Sequence, residues 1–211
     1  EPRLARLSGI RAVVFDVYGT LFSSGVGDIS LATEQNRDAA LREALTAGGF
    51  SLDPGSRGIR LDECFLGIVR AQQASRRAEG IEYPEVDIRR VWSAFIGQVR
   101  EQGLAAPPVE PDIDTLAVDY ESRVNPTQAM PGLAETLGWL QQKDLPLSII
   151  SNAQFFTPLL FQAFLRKPLH ACGFSEGCSV WSYLELEAKP SVRLYQKAAL
   201  QLNREYGLKS S

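Results

Sequence analysis

One histidine, one methionine and three cysteines among 211 residues remove several kinds of chemistry from consideration. The single His170 lies in the apolar stretch Leu169-His170-Ala171-Cys172. No nucleophile-elbow motif lies nearby, which argues against a Ser-His-Asp arrangement. Cys64, Cys172 and Cys178 are an odd and sparse set. They argue against a disulfide framework and lead us to expect a reducing, cytoplasmic setting. The spacing of Cys172 and Cys178 matches no common zinc pattern. Charge of one sign is also missing. With 22 Lys and Arg against 25 Asp and Glu, the net charge is −3, so no basic field marks a nucleic-acid partner. No apolar run approaches the ~20 residues of a membrane helix. There is no internal repeat and no low-complexity tract. The opening Glu1-Pro2-Arg3-Leu4 does not read as a signal peptide and has no initiating Met, so processing or trimming is expected.

What is present is enough apolar material for a core, 45% of the residues, in a length that holds one large domain or a domain with an insertion. The most informative stretch is residues 12–22, Ala-Val-Val-Phe-Asp-Val-Tyr-Gly-Thr-Leu-Phe. Val13, Val14 and Phe15 read as a buried strand. Asp16 follows at its carboxyl end, Gly19 permits a tight turn, and Thr20 sets a hydroxyl close behind the carboxylate. In open α/β sheets, ligands bind just beyond the carboxyl ends of strands. A carboxylate there is a candidate nucleophile or metal ligand, although Asp also simply starts turns.

Ser23 to Asp28 reads as a flexible polar link, and a helical region follows. Helical spacing places Leu31, Ala39, Ala40, Leu41, Ala44 and Leu45 on a first helix that ends at Gly48-Gly49. Further helices are expected over 61–79, 87–99 and about 111–123, with no strand among them. After the turn signals Asn125-Pro126 and Met130-Pro131-Gly132 the pattern changes. Leu133 to Gln142 reads as an amphipathic helix and Leu145 to Ile150 as a second strand ending at Ser151-Asn152. A helix is expected over Phe155 to Leu165, a third strand over Cys178 to Trp181, and a last helix over Val192 to Tyr206. A loop carrying Glu185, Glu187 and Lys189-Pro190 precedes that helix. Strands alternating with helices imply parallel βαβ units. The expected organisation is a split α/β core, residues 1–22 and 127–211, around a helical insertion of residues 23–126.

Three places share a position at or just after a core strand: Asp16 with Thr20, Ser151-Asn152, and Lys189-Pro190. A carboxylate that attacks a phosphoryl group needs donors for the equatorial oxygens, a positive charge and usually a metal. Ser151 and nearby backbone N–H groups can supply donors, and Lys189 can supply the charge. Phe65, Trp92 and Phe95 could line a pocket between insertion and core; packing within the helices is the expectation we favour.

Taken in order, Phe-Asp-Val-Tyr-Gly-Thr-Leu-Phe at 15–22, Ile-Ile-Ser-Asn at 149–152 and Lys-Pro-Ser-Val-Arg-Leu-Tyr at 189–195 resemble the haloacid dehalogenase-like hydrolase superfamily. The resemblance covers both core pieces, and the insertion looks like that family's helical cap. It implies a Rossmann-like parallel sheet with an inserted all-helical cap domain. It implies Asp16 as a nucleophile forming an aspartyl intermediate, Thr20 and Ser151 as binders of the transferred group, and Lys189 steadying the nucleophile and its charge. It implies Mg²⁺ on the Asp16 carboxylate and the Tyr18 backbone carbonyl. Asn152 and Tyr18 are implied in substrate binding, Asn152 by positioning substrate or the loop.

Two departures shape the functional expectation. The family's phosphatases usually carry a second Asp two residues after the nucleophile; here Tyr18 stands there, as in the family's dehalogenases. Those dehalogenases use an Arg early in the cap to receive halide. Arg37 and Arg42 are the nearest candidates, without the expected aromatic surroundings. The second motif reads Ser-Asn-Ala rather than Ser-Asn-Gly. The expectation is a Mg²⁺-dependent phosphatase acting on a small phosphorylated metabolite. The alternatives are a 2-haloacid dehalogenase, which needs no Mg²⁺, and a non-catalytic binding protein that keeps the fold. The family's fourth, acidic motif has no counterpart before Ser211. The expectation is therefore that the natural chain continues, that the 211-residue chain alone is inactive or nearly so as a phosphatase, and that the Val13-Val14-Phe15 edge invites self-association. The expected partner is a small-molecule substrate, with neither nucleic acid nor membrane.

Overall fold

The structure is a computed structural model that describes residues 8–24 and 34–208. Three parallel strands form its centre: β1 (Val13–Phe15), β6 (Leu147–Ser151) and β7 (Val180–Trp181), in the order β1-β6-β7. Val13 pairs with Leu147 and Phe15 with Ile149 on one side of β6; Ile150 pairs with Val180 and Ser151 with Trp181 on the other. All five residues of β6 are buried, as expected of a strand covered on both faces. Among the described residues β1 pairs on one side only, and Val14 is 43% exposed.

Between β1 and β6 lie β2 (Phe22–Ser24), α1 (Glu34–Ala47), β3 (Ser51–Leu52), α2 (Leu61–Ala78), α3 (Ile88–Glu101), β4 (Ala105–Ala106), α4 (Ile113–Val124), β5 (Thr127–Ala129) and α5 (Leu133–Gln141). After β6 come α6 (Leu159–Leu165), β7, α7 (Ser182–Glu185) and α8 (Val192–Tyr206). Helix ends follow local chemistry. Asp87 accepts from Arg89 N–H to start α3, Asp112 from Thr115 N–H to start α4, and Ser191 from Arg193 N–H to start α8. In α2, Asp62 and Glu63 occupy the first turn and Arg76 and Arg77 the last, both favourable for the helix dipole.

Several elements differ from the expectation. Ser23 and Ser24, read as the start of a polar link, continue from Phe22 as a strand paired antiparallel with Thr127–Ala129. The insertion also holds one short antiparallel strand pair, Ser51 with Ala106 and Leu52 with Ala105. The helix expected from Phe155 starts only at Leu159. Thr157 Oγ1 accepts from Gln154 N–H at 3.2 Å and closes a turn instead. The loop carrying Glu185 folds as α7. Leu31, and Gly25 to Asp28 of the expected link, lie outside the described residues, as does Glu1-Pro2-Arg3-Leu4.

Apolar side chains gather in two clusters. One joins α1 to α4 and takes in Phe156 from the loop after β6. At its centre the rings of Phe65, Trp92, Phe95 and Tyr120 meet edge-on or tilted, and Phe65, Trp92 and Phe95 are buried packing residues. The second cluster surrounds the sheet, with Val17, Phe22, Leu137, Leu147, Ile149 and Phe161 among its members. The paired β2 and β5 carry the chain between the two. Ser24 Oγ donates to Asn125 Oδ1 at 2.7 Å, and Asn125 Nδ2 donates to Glu121 Oε1 at 2.8 Å.

Candidate active site

Asp16 follows the last residue of β1, and its carboxylate stays 39% exposed. The turn behind it is drawn around one carbonyl. Val17 C=O accepts from the N–H groups of Thr20 at 3.2 Å, Leu21 at 2.8 Å and Phe22 at 3.0 Å. Gly19 takes φ +79°, a left-handed conformation that favours glycine. Val17 and Leu21 anchor the turn in the core, whereas Gly19 and Thr20 face outward. This alternation is why Asp16 and Thr20 remain reachable at the carboxyl end of the sheet.

Asp16 Oδ1 accepts from Val17 N–H at 2.8 Å, and Asp16 Oδ2 meets Lys189 Nζ at 2.8 Å. Lys189 is itself held: its backbone N–H donates to Asn152 Oδ1 at 2.7 Å. The structure therefore brings Asp16, Asn152 and Lys189 together from three separate chain segments. Ser151, the last residue of β6, is fully buried, with its Oγ 3.4 Å from the Asn152 carbonyl. Beside the Asp16–Lys189 pair lies a cavity of about 350 Å³, lined also by Val14, Phe15, Ile150 and Tyr195.

Tyr18 is half-buried. Its hydroxyl lies 3.0 Å from Thr157 Oγ1. Burial, reinforced by the nearby Glu121 carboxylate and partly offset by the Thr157 bond, pushes the phenol up to about 12. It stays protonated at neutral pH, with its hydroxyl engaged by Thr157. Glu121 itself is half-buried beside Asn125, and desolvation raises its carboxyl above its ordinary value. Sequence reasoning gave no role to Thr157 or Glu121, and no local signal marks either.

Arg37 and Arg42 are engaged within the insertion. Arg42 donates to Asp38 Oδ2 at 2.6 Å and to the carbonyls of Ser56 at 2.9 Å and Ile59 at 2.5 Å, bracing the turn before α2. Arg37 is buried 3.9 Å from Asp62, which also receives Arg60. His170 is exposed and faces Glu176 at 3.4 Å. Cys64, Cys172 and Cys178 are free thiols. Among the described residues no three His, Cys, Asp or Glu side chains gather as a metal-ligand group. Among them, too, no helix is long and apolar enough to cross a membrane.

Residues 10–208, which include every site residue above, match the family model of haloacid dehalogenase-like hydrolases. The chain belongs to this family. Solved structures with a similar fold include CbbY from Rhodobacter sphaeroides in complex with xylulose-1,5-bisphosphate. It is 18% identical, over 92% of this chain and 73% of that one, with a TM-score of 0.44. A dehalogenase is 21% identical over 94% of this chain and 74% of its own, with a TM-score of 0.43. A hydrolase of the same family from Deinococcus radiodurans R1, with bound phosphate and sodium, is 21% identical over 92% and 68%, with a TM-score of 0.37. No curated protein sequence is similar enough to count as a match. Membership makes this haloacid dehalogenase-like chain a hydrolase by family and an α/β protein with a parallel sheet by fold.

Proposed function

We propose that this chain is a hydrolase that works through Asp16, whose carboxylate attacks the substrate's electrophilic centre, displaces the leaving group (an alkoxide or a halide), and holds the transferred group as an acyl phosphate or an ester until water releases it. The observation that carries the reading is the 2.8 Å contact between Asp16 Oδ2 and Lys189 Nζ at the carboxyl end of the sheet. Lys189 places an ammonium where negative charge builds on the group being transferred. Asn152 holds the lysine backbone, and Thr20, in the turn after β1, and Ser151, at the end of β6, are the binders of that group. The helices of residues 23–126 act as a cap over the core of 1–22 and 127–211 and select what enters. Free cysteines fit a cytoplasmic setting.

The substrate class we favour is a small phosphorylated metabolite, with Mg²⁺ as cofactor. The donor set is sparse but sufficient. Mg²⁺ keeps several waters and needs one or two carboxylates together with substrate phosphate oxygens. The Asp16 carboxylate is partly exposed and carries one donor on each oxygen, which leaves lone pairs free. Asp16 and the Tyr18 carbonyl would hold the ion. When bound, it offsets charge on the phosphoryl oxygens.

Tyr18 favours a second reading. A phosphate ester leaves as an alkoxide that needs a proton, and a phenol pushed up to about 12 and bound to Thr157 is a much weaker general acid than the carboxyl of a second Asp. Halide leaves without a proton, so the same Asp16 chemistry suits a 2-haloacid dehalogenase. A screen of the full-length protein against phosphate esters and 2-haloacids, each with and without Mg²⁺ and with Asp16→Asn alongside, separates the two. Mg²⁺-dependent phosphate release abolished by the substitution supports the phosphatase. Metal-independent halide release supports the dehalogenase. Silence from folded protein on both substrate sets contradicts both and leaves a non-catalytic binding protein.

A further inference from the structure

The segment between α2 and α3 leaves the helical insertion and lies along the chain just before Lys189. Pro84 and Glu187 face each other as an antiparallel bridge. On one side Ala188 N–H donates to the Tyr83 carbonyl at 2.7 Å; on the other Glu85 N–H donates to the Leu186 carbonyl at 3.2 Å. Proline has no N–H to offer, and the bridge puts it where none is used; its ring also keeps Tyr83 extended. Two side chains fasten this pairing. Gln154 uses both ends of its amide, donating to the Val86 carbonyl at 2.9 Å and accepting from Ile88 N–H at 3.0 Å. Glu85 Oε2 accepts from Ser182 Oγ at 3.0 Å, and that same hydroxyl oxygen accepts from Ala153 N–H at 2.9 Å.

One short piece of the insertion thus touches two of the three loops that leave the carboxyl end of the sheet: the one after Ser151-Asn152 and the one that leads to Lys189. Leu186 takes φ +52°, a conformation that a branched residue keeps only where its surroundings hold it. Its carbonyl is the one that Glu85 N–H takes. We propose that Tyr83–Val86 is a positioning element for Lys189, with Glu85 and Gln154 as its positioning residues, so that the insertion's seat on the core sets the Asp16–Lys189 contact. The proposal deepens the hydrolase reading and rests on it for the role of Lys189. The mechanical claim is tested separately.

The test uses the full chain and measures acetylation of each lysine by an N-hydroxysuccinimide ester, read by peptide mass spectrometry. Lys143, just past the end of α5 with its ammonium 5.5 Å from the centre of the Trp139 ring, is the internal reference. Glu85→Ala and Gln154→Ala are each expected to raise the Lys189 rate several-fold relative to Lys143. Glu85→Gln, which keeps an acceptor for the Ser182 hydroxyl, is expected to return it to the parent rate. An unchanged Lys189 rate in both alanine variants overturns the proposal, and so does a parallel rise at Lys143, which would report general loosening. On any screen substrate that the parent chain turns over, kcat falls with KM unmoved; a change in KM alone contradicts positioning. If the full-length protein turns over nothing in that screen, the hydrolase reading fails, and the acetylation pattern still decides the mechanical claim.

Discussion

At the residue scale the account rests on two side chains that meet at 2.8 Å. Asp16→Asn removes the nucleophile but only a partly exposed ion pair. Turnover is expected to vanish while stability changes by about 1 kcal/mol or less, which paired activity assays and thermal melts will show. Lys189→Met removes the charge beside the transferred group, and turnover is expected to fall about 10²–10³-fold, measured as kcat on whichever substrate the screen identifies. Asp16, Asn152 and Lys189 were legible in the sequence because each follows a strand signal, and a parallel sheet gathers the residues at its strand ends. Tyr18 was not. Its position in the first motif suggested a group facing substrate, but anchoring Val17 and Leu21 turns the phenol inward, to a hydroxyl 139 residues away. No local pattern announces such a pair.

At the scale of elements, α3 shows why the long helices were legible. An Asp cap starts it, and Val91, Trp92, Phe95, Ile96 and Val99 line its buried side at helical spacing. Phe95→Ala is expected to cost about 3–5 kcal/mol, a large share of the ~5–15 kcal/mol that holds a domain folded. Urea unfolding followed by circular dichroism measures it. Trp92→Phe is expected to cost clearly less, because the buried Trp92 Nε1 has no hydrogen-bond partner to lose. The strand pairs β2–β5 and β3–β4 were not legible. They span three and two residues per strand, and Ser-Ser and Ala-Ala carry no alternation that periodicity can detect.

On α4, Glu121 makes a pH prediction. Burial raises its carboxyl in the folded state, so the folded chain binds this proton more tightly than the unfolded one. The stability it contributes is full below the unfolded value and is lost as pH rises through the folded one. Glu121→Gln keeps the acceptor for Asn125. It is expected to raise the melting temperature at about pH 8 and to leave it nearly unchanged at about pH 4, the window across which a raised carboxyl titrates.

At the scale of the whole molecule, the chain places its chemistry where a helical insertion and a parallel sheet touch. The sheet supplies the reacting groups, since β1 and β6 end beside each other at Asp16 and Ser151. The insertion supplies contacts to two of the three loops at that end, those after β6 and β7. The three motifs made the sheet legible; the contacts between the halves were not, because Tyr83-Pro84-Glu85 and Gln154 look like ordinary loop residues until the fold brings them together. The central claim is that Asp16 becomes covalently linked to the transferred group. The most direct measurement is the mass of the peptide carrying Asp16 after turnover is quenched in acid, compared with the same peptide from Asp16→Asn. The account predicts an adduct on Asp16 in the parent chain and neither adduct nor turnover in the variant. Turnover that persists in Asp16→Asn, or an adduct on another residue, would contradict it.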